Sequence, residues 1–187
     1  MSPLVIVVTV VVAVIALALV AAASGYNGLV RRRNAVDNAW AQIDVQLKRR
    51  HDLIPNLVSA VKGYLTHERA TLEAVTWARS AAMGASGPQD RCQAEDMLSG
   101  ALKNLFAVSE AYPDLRASAN FLQLQDELAA SENRIAYSRQ YYNDAVMAYN
   151  NATQTIPTSI IASIGNFQTR QLYGVTEAER GPVQVTF

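Results

Sequence analysis

His51, His67, Cys92 and the run Arg49-Arg50-His51-Asp52 are the first places to look for chemistry in this sequence. The run is its densest charged patch. On a helix Asp44 and Lys48, and likewise Lys48 and Asp52, lie one turn apart and can pair. Beside Pro55 such a patch suits a polar ligand or a partner. It suits a solvated helix face just as simply, and that reading is preferred. Metal ligation fails on spacing, because His51 and His67 are sixteen residues apart. His67-Glu68 opens like a zinc-protease helix, but position 71 is Thr where the second His is required. Cys92 is expected in an exposed early helical turn with no nearby His to activate it. Neither a nucleophile elbow nor a Gly-rich phosphate loop is present. No catalytic residue, metal or cofactor is therefore expected.

What must position any site begins with Leu4 to Ala23, twenty residues without a charge and with one polar side chain, Thr9. A helix of that length spans about 30 Å, the hydrocarbon thickness of a bilayer. It satisfies its own backbone groups, as lipid requires. Leu4, Val12, Ala18 and Ala22 mark the expected anchor. A cleaved signal peptide is the main rival, with Ala21-Ala22-Ala23 as its cleavage site. Met1-Ser2-Pro3 lacks the basic leader such a peptide needs, and the apolar run is too long. Cys92 is the sole cysteine, which leaves no site for a lipoprotein anchor.

Arg31, Arg32 and Arg33 follow the run closely, and basic residues resist translocation. They predict the N-terminus outside, the bulk domain cytoplasmic, and contact with anionic headgroups worth about 1 kcal/mol per charge. All 16 basic and all 16 acidic residues lie beyond the anchor, so the domain is neutral. A neutral domain without basic clusters interleaved with aromatics excludes nucleic acid as a partner.

The remainder reads as helix. Val36, Trp40, Ile43, Leu47, Ile54, Leu57, Val61, Tyr64 and Val75 keep near a seven-residue repeat. Arg50, Glu68 and Thr71 interrupt it, which argues for a bundle helix over a long coiled coil. Trp40, Ile43, Leu47, Leu57 and Val61 are the expected core. Pro55 should kink or break the helix near His51 to Ile54, giving helices over about 24–52 and 55–83. Gly84 to Pro88 is the strongest breaker. A third helix from about Asp90 carries Met97, Leu98, Ala101, Leu102, Leu105 and Val108, and ends at Tyr112-Pro113-Asp114. A fourth, from Ser118 or Asn120, carries Phe121, Leu124, Leu128, Ile135, Tyr142, Val146 and Tyr149 until Pro157. The fold class is all-α: a single transmembrane helix, then an antiparallel bundle of about four long helices. The domains are a short tail over 1–3, the span over 4–23, the bundle over 24–167 and a C-terminal tail over 168–187.

Asn133, Asn143, Gln123 and Gln125 suit either hydrogen bonds across the bundle or a polar surface. Val183, Val185 and Phe187 alternate, as in a short strand. Without a sheet in its own chain, such a strand is either a disordered tail or a contact with a neighbouring protomer or partner. Three features together predict a homo-oligomer. They are this strand, the small pairs Ala18/Ala22 and Ala21/Gly25, and the unusually long heptad face.

Three stretches stand out as text: Tyr26-Asn27-Gly28-Leu29-Val30, the run from Ala39-Trp40-Ala41-Gln42-Ile43-Asp44 through Ile54-Pro55-Asn56-Leu57-Val58, and Tyr112-Pro113-Asp114-Leu115. Asn120-Phe121-Leu122-Gln123-Leu124-Gln125, Glu132-Asn133-Arg134-Ile135-Ala136 and Tyr142-Asn143-Asp144-Ala145-Val146 join them. Together these stretches resemble the LemA family of bacterial membrane proteins. The resemblance covers nearly all of residues 26–167, Phe167 included, and fades over 85–93 and after Arg170. It implies a membrane span and a helical bundle in the bacterial cell membrane. It implies no established activity and has no catalytic residues to transfer.

Two classes of function compete. One is a non-enzymatic scaffold that self-associates on membrane lipid. The other is an adaptor or sensor that binds a ligand or client for a membrane partner such as a membrane protease. An enzyme ranks third.

Overall fold

The computed structural model describes residues 2–65 and 67–174. Its described residues form helices and connecting loops, with no strand. The helices are α1 (Pro3–Val61), α2 (Arg69–Gly84), α3 (Pro88–Ser109), α4 (Pro113–Arg116), α5 (Ala119–Gln154) and α6 (Thr158–Ile164). They belong to two compact units. Among the described residues, one combines 2–39 with 144–170 and the other combines 40–143 with 171–174. Helices α1 and α5 contribute to both.

Pro55 does not break α1. The helix passes through it and ends at Val61, so the second helix starts at Arg69 and not near residue 55. Proline removes the donor that would bond the carbonyl of His51. Arg79 Nε of α2 donates to that oxygen instead, at 2.8 Å. The break falls at Lys62-Gly63-Tyr64, and Tyr64 is exposed in that turn, outside the core repeat.

In the larger unit the contacts fix helix directions. Trp40 meets Tyr142 and Arg50 meets Glu132, so α1 and α5 run antiparallel. Asp44 meets Arg91 and Arg50 meets Ser99, so α1 and α3 run parallel. Phe106 packs on Phe121 while Arg139 pairs with Asp96, which sets α3 and α5 antiparallel. Gly87, at φ +80°, makes the tight turn that feeds Pro88 at the first position of α3. The core is Ile54, Leu57, Val61 and Leu65, with Val75, Ala78, Leu98, Leu105, Leu115, Phe121 and Leu124 among its partners. Ile43 and Leu47 are buried as expected. Trp40 is only half-buried. Its ring lies 5.3 Å from that of Tyr142 and 6.0 Å from that of Tyr173, under the Arg91 guanidinium at 5.1 Å. Met97 is exposed, not core.

In the smaller unit the buried apolar residues are Leu29, Val36 and Ala39 of α1, Val146, Tyr149 and Ala152 of α5, Ala162 of α6 and Phe167. Thr158 Oγ1 donates to the carbonyls of Ala152 (2.6 Å) and Thr155 (2.9 Å), which closes the α5–α6 turn. Gly165 then allows the Phe167 ring to fold back, since a Cβ there would lie 2.6 Å from the ring.

Candidate anchor, juxtamembrane ring and buried polar cluster

The N-terminal part of α1 has a mean hydropathy of 3.4 over its best 18-residue window, and none of that window is buried. Leu4, Val12, Ala18 and Ala22 all face outward, with Leu4 72% and Val12 59% exposed. The one polar side chain bonds inside the helix: Thr9 Oγ1 donates to the Val5 carbonyl at 2.8 Å. Apolar surface left in water is unfavourable by about 25 cal/mol per Å². This is the one helix among the described residues long and apolar enough to cross a membrane.

Past the apolar run, Arg31, Arg32 and Arg33 are exposed on α1. Arg33 lies over the Phe167 ring at 5.4 Å, and Tyr26 meets that ring edge-on at 5.4 Å. Arg170 pairs with Asp37 at 3.2 Å. The Tyr149 hydroxyl donates to the Gln168 carbonyl at 2.9 Å. Burial raises its pKa above the usual tyrosine value, against the opposing pull of Arg170 and Arg33. Arg33, Tyr149, Phe167, Gln168 and Arg170 line a small hollow of about 310 Å³ beside the arginine run. Asn150 clamps Arg170 twice: its Nδ2 donates to the Arg170 carbonyl and its Oδ1 accepts from the Arg170 N–H, both at 2.8 Å.

The larger unit repeats this device. Asn143 Nδ2 donates to the Tyr173 carbonyl at 3.1 Å, and Asn143 Oδ1 accepts from the Tyr173 N–H at 2.8 Å. The Tyr142 hydroxyl donates to the Gln171 carbonyl at 2.9 Å. Tyr142-Asn143 and Tyr149-Asn150 are thus the same dipeptide seven residues apart on one helix, each holding non-helical chain that follows α6. A side-chain amide offers one donor and one acceptor, as a paired strand does. Burial pushes the Tyr173 hydroxyl up to about 12, while the Arg139 guanidinium, 4.8 Å over its ring, works the other way.

The run Arg49 to Asp52 is not a solvated face. Arg49 and Asp52 are exposed, but Arg50 is 2% and His51 8% exposed. Both meet Glu95 of α3, which is fully buried. His51 Nε2 lies 2.7 Å from Glu95 Oε1, and Arg50 Nη1 lies 3.5 Å from Glu95 Oε2. Arg50 also donates to Ser99 Oγ at 2.7 Å and pairs with Glu132 of α5 at 3.0 Å. One guanidinium therefore joins three helices. Asp44 pairs with Arg91 of α3 as well as lying one turn from Lys48. Arg50 and Glu95 had a signal in the sequence. Arg50 continues the seven-residue row Val36, Ile43, Arg50, Leu57, and Glu95 continues the row Glu95, Leu98, Leu102, Leu105. Charged residues in phase with a core stripe are candidates for a buried pair.

The cluster ties α1, α3 and α5 together. Arg50, Ser99 and Glu132 also line a hollow of about 360 Å³ between α3 and α5. His67 is exposed and separate from it. Cys92 is half-buried and not exposed as expected, its thiol 3.6 Å from Asp96 Oδ2. Among the described residues no three His, Cys, Asp or Glu side chains are grouped to hold a metal. Of the amides, Asn143 bridges away from its own helix. Gln123 bonds Glu127 one turn along, and Asn133 faces solvent. Val183, Val185 and Phe187 lie outside the described residues.

A family model described as the LemA family matches residues 39–187. That match runs past Arg170, where the motif resemblance stops, and begins after the apolar run. The curated Protein LemA of Metamycoplasma hominis is 28% identical over 164 residues, covering 86% of this chain and 74% of that protein. With most of its length matched by one family model and its helical architecture in agreement, the chain belongs to the LemA family.

Proposed function

We propose that the protein is a single-pass, membrane-anchored scaffold without enzymatic activity. It self-associates at the bacterial membrane, with its N-terminus outside and its helical domain cytoplasmic. The observation that carries the anchor is the apolar part of α1, which nothing among the described residues covers. Lipid is the solvent that makes such a surface favourable. The exposed Arg31 to Arg33 triplet supports the orientation. The exposed pair Ala18/Ala22 supports close approach of neighbouring spans. The other two arguments for assembly are weaker. Gly25 packs against Ile161 of its own chain, and Val36, Ile43 and Leu47 are buried within it.

A cysteine at Ser86, in a Cys92→Ser background, tests the orientation. An impermeant maleimide should label it only after cells are lysed, and labelling of intact cells reverses the topology. Light scattering of the full chain in nanodiscs tests assembly, with particles of several copies expected.

A second reading has one specific observation in its favour. A groove of about 770 Å³ opens beside Trp77, lined by Val58, Leu65 and Leu72 together with Lys62 and the Arg69–Glu73 pair. Trp77 is 64% exposed there. An amphipathic client would fit that mix of apolar and charged lining, as an adaptor requires. A monomer in nanodiscs removes the scaffold and leaves this adaptor.

A further inference from the structure

Between Asp144 and Arg170 the chain carries no charged residue for twenty-five positions, 145–169. This stretch holds the end of α5, the turn and α6. Ile156, Ile160 and Ile164 recur four apart within it and are 83%, 60% and 84% exposed. Ile161 faces the other way. A Cβ built on Gly25 would lie 2.5 Å from Ile161 Cδ1 and 3.8 Å from Thr158 Cγ2, so α6 rests directly on α1 at that glycine. Gly25 is about 3 Å along the helix past Ala23 and about 9 Å before Arg31, at 1.5 Å per residue. The headgroup layer of each leaflet is about 5–8 Å deep. The face of α6 that carries Thr158 and Ile161 therefore rests on α1 between the end of the apolar run and the first arginine, with the isoleucines exposed beside it.

We propose that α6 is a second contact with the bilayer, an interfacial foot beside the transmembrane span. Ile156, Ile160 and Ile164 seat at the boundary between headgroups and acyl chains, and Thr158, Ser159 and Ser163 remain among polar headgroups. The inference rests on the membrane-anchor reading above. Three exposed isoleucines on an uncharged segment, continuous with an apolar span, match the surface that such a boundary takes up. Two attachments fix what one cannot. A lone span lets a domain swing and rotate, whereas a foot docked on α1 sets both its depth and its facing.

Site-directed spin labelling of the full chain tests this, in vesicles of phosphatidylcholine and phosphatidylglycerol and in a Cys92→Ser background. Single labels go at Ile160→Cys and Ile164→Cys. Val12→Cys gives the bilayer reference, and Asn38→Cys, exposed on α1 about 22 Å past Ala23, gives the aqueous one. Each variant is used only if its circular dichroism melt matches that of the parent. Collision with oxygen relative to a water-soluble nickel chelate should rise severalfold at 160 and 164 over position 38, while staying below position 12. An aqueous ratio at 160 and 164 with a buried ratio at 12 overturns the foot and leaves the span intact. An aqueous ratio at 12 overturns the span and the foot with it. Dipolar broadening at 160 or 164 that disappears on dilution with unlabelled protein means a second copy covers the isoleucines, and overturns the lipid contact.

Discussion

Replacing Glu95 by glutamine removes one buried negative charge with little change in volume. Glu95 is fully buried and faces Arg50, itself only 2% exposed, at 3.5 Å, and His51 at 2.7 Å. Removing one partner of a buried pair strands the other and costs about 3–5 kcal/mol. Here the lower end applies, for two reasons. Glu132 still faces Arg50 at 3.0 Å, although its side chain is 48% exposed and screened by water. His51 Nε2 keeps a hydrogen-bond partner in the new amide. The expected loss is thus about 3 kcal/mol, which in a domain of this size lowers Tm by about 6–12 °C. Circular dichroism at the helical band, on the full chain in detergent, reads it. Arg50→Met combined with Glu95→Leu supplies the control. It empties the pair on both sides, so it should be more stable than Glu95→Gln, because well-packed apolar residues substitute for a buried ion pair at little loss. The reasoning is refuted if Glu95→Gln melts with the native protein. It is equally refuted if the double variant loses the full sum of its two single changes, since coupled neighbours are non-additive.

Leu47→Ala, at a side chain 3% exposed, should lose about 2–5 kcal/mol in the same melt, and an unchanged Tm would place Leu47 outside the core. Asn143→Ala deletes both bonds to the Tyr173 backbone, a loss of about 1–2 kcal/mol; amide exchange at Tyr173 should quicken by roughly tenfold, with no change if the clamp is idle. Tyr173 sets an alkaline limit. Its folded pKa of about 12 lies above the unfolded value of about 10, so its contribution is complete below pH 10 and is lost as pH rises through 12. Denaturant unfolding of the native chain should therefore lose about 2 kcal/mol more between pH 10 and 12 than that of Tyr173→Phe. Parallel slopes for the two proteins would remove Tyr173 as the cause.

The features legible in the sequence are those that depend on one segment and its solvent. Leu4 to Ala23 shows its apolar character without any partner, because every side chain in the run but Thr9 is apolar. The rows through Ile43, Leu47, Leu57 and Val61, and through Phe121, Leu124 and Leu128, follow from a period of 3.6 and the exclusion of apolar surface from water. Tertiary structure decided what depended on residues far apart in the chain. Pro55 breaks an isolated helix, but Arg79, twenty-four positions later, satisfies the carbonyl that proline orphans, so α1 continues. Arg50 looks like an interruption of the heptad until Glu95 arrives from α3 to neutralise it. Asn143 leaves a bond across the bundle and a polar surface equally open until Tyr173 passes alongside. A charged or amide side chain is costly to bury alone and stable when paired. Its place inside or outside therefore rests with the partner, and only the folded chain brings that partner within 3 or 4 Å.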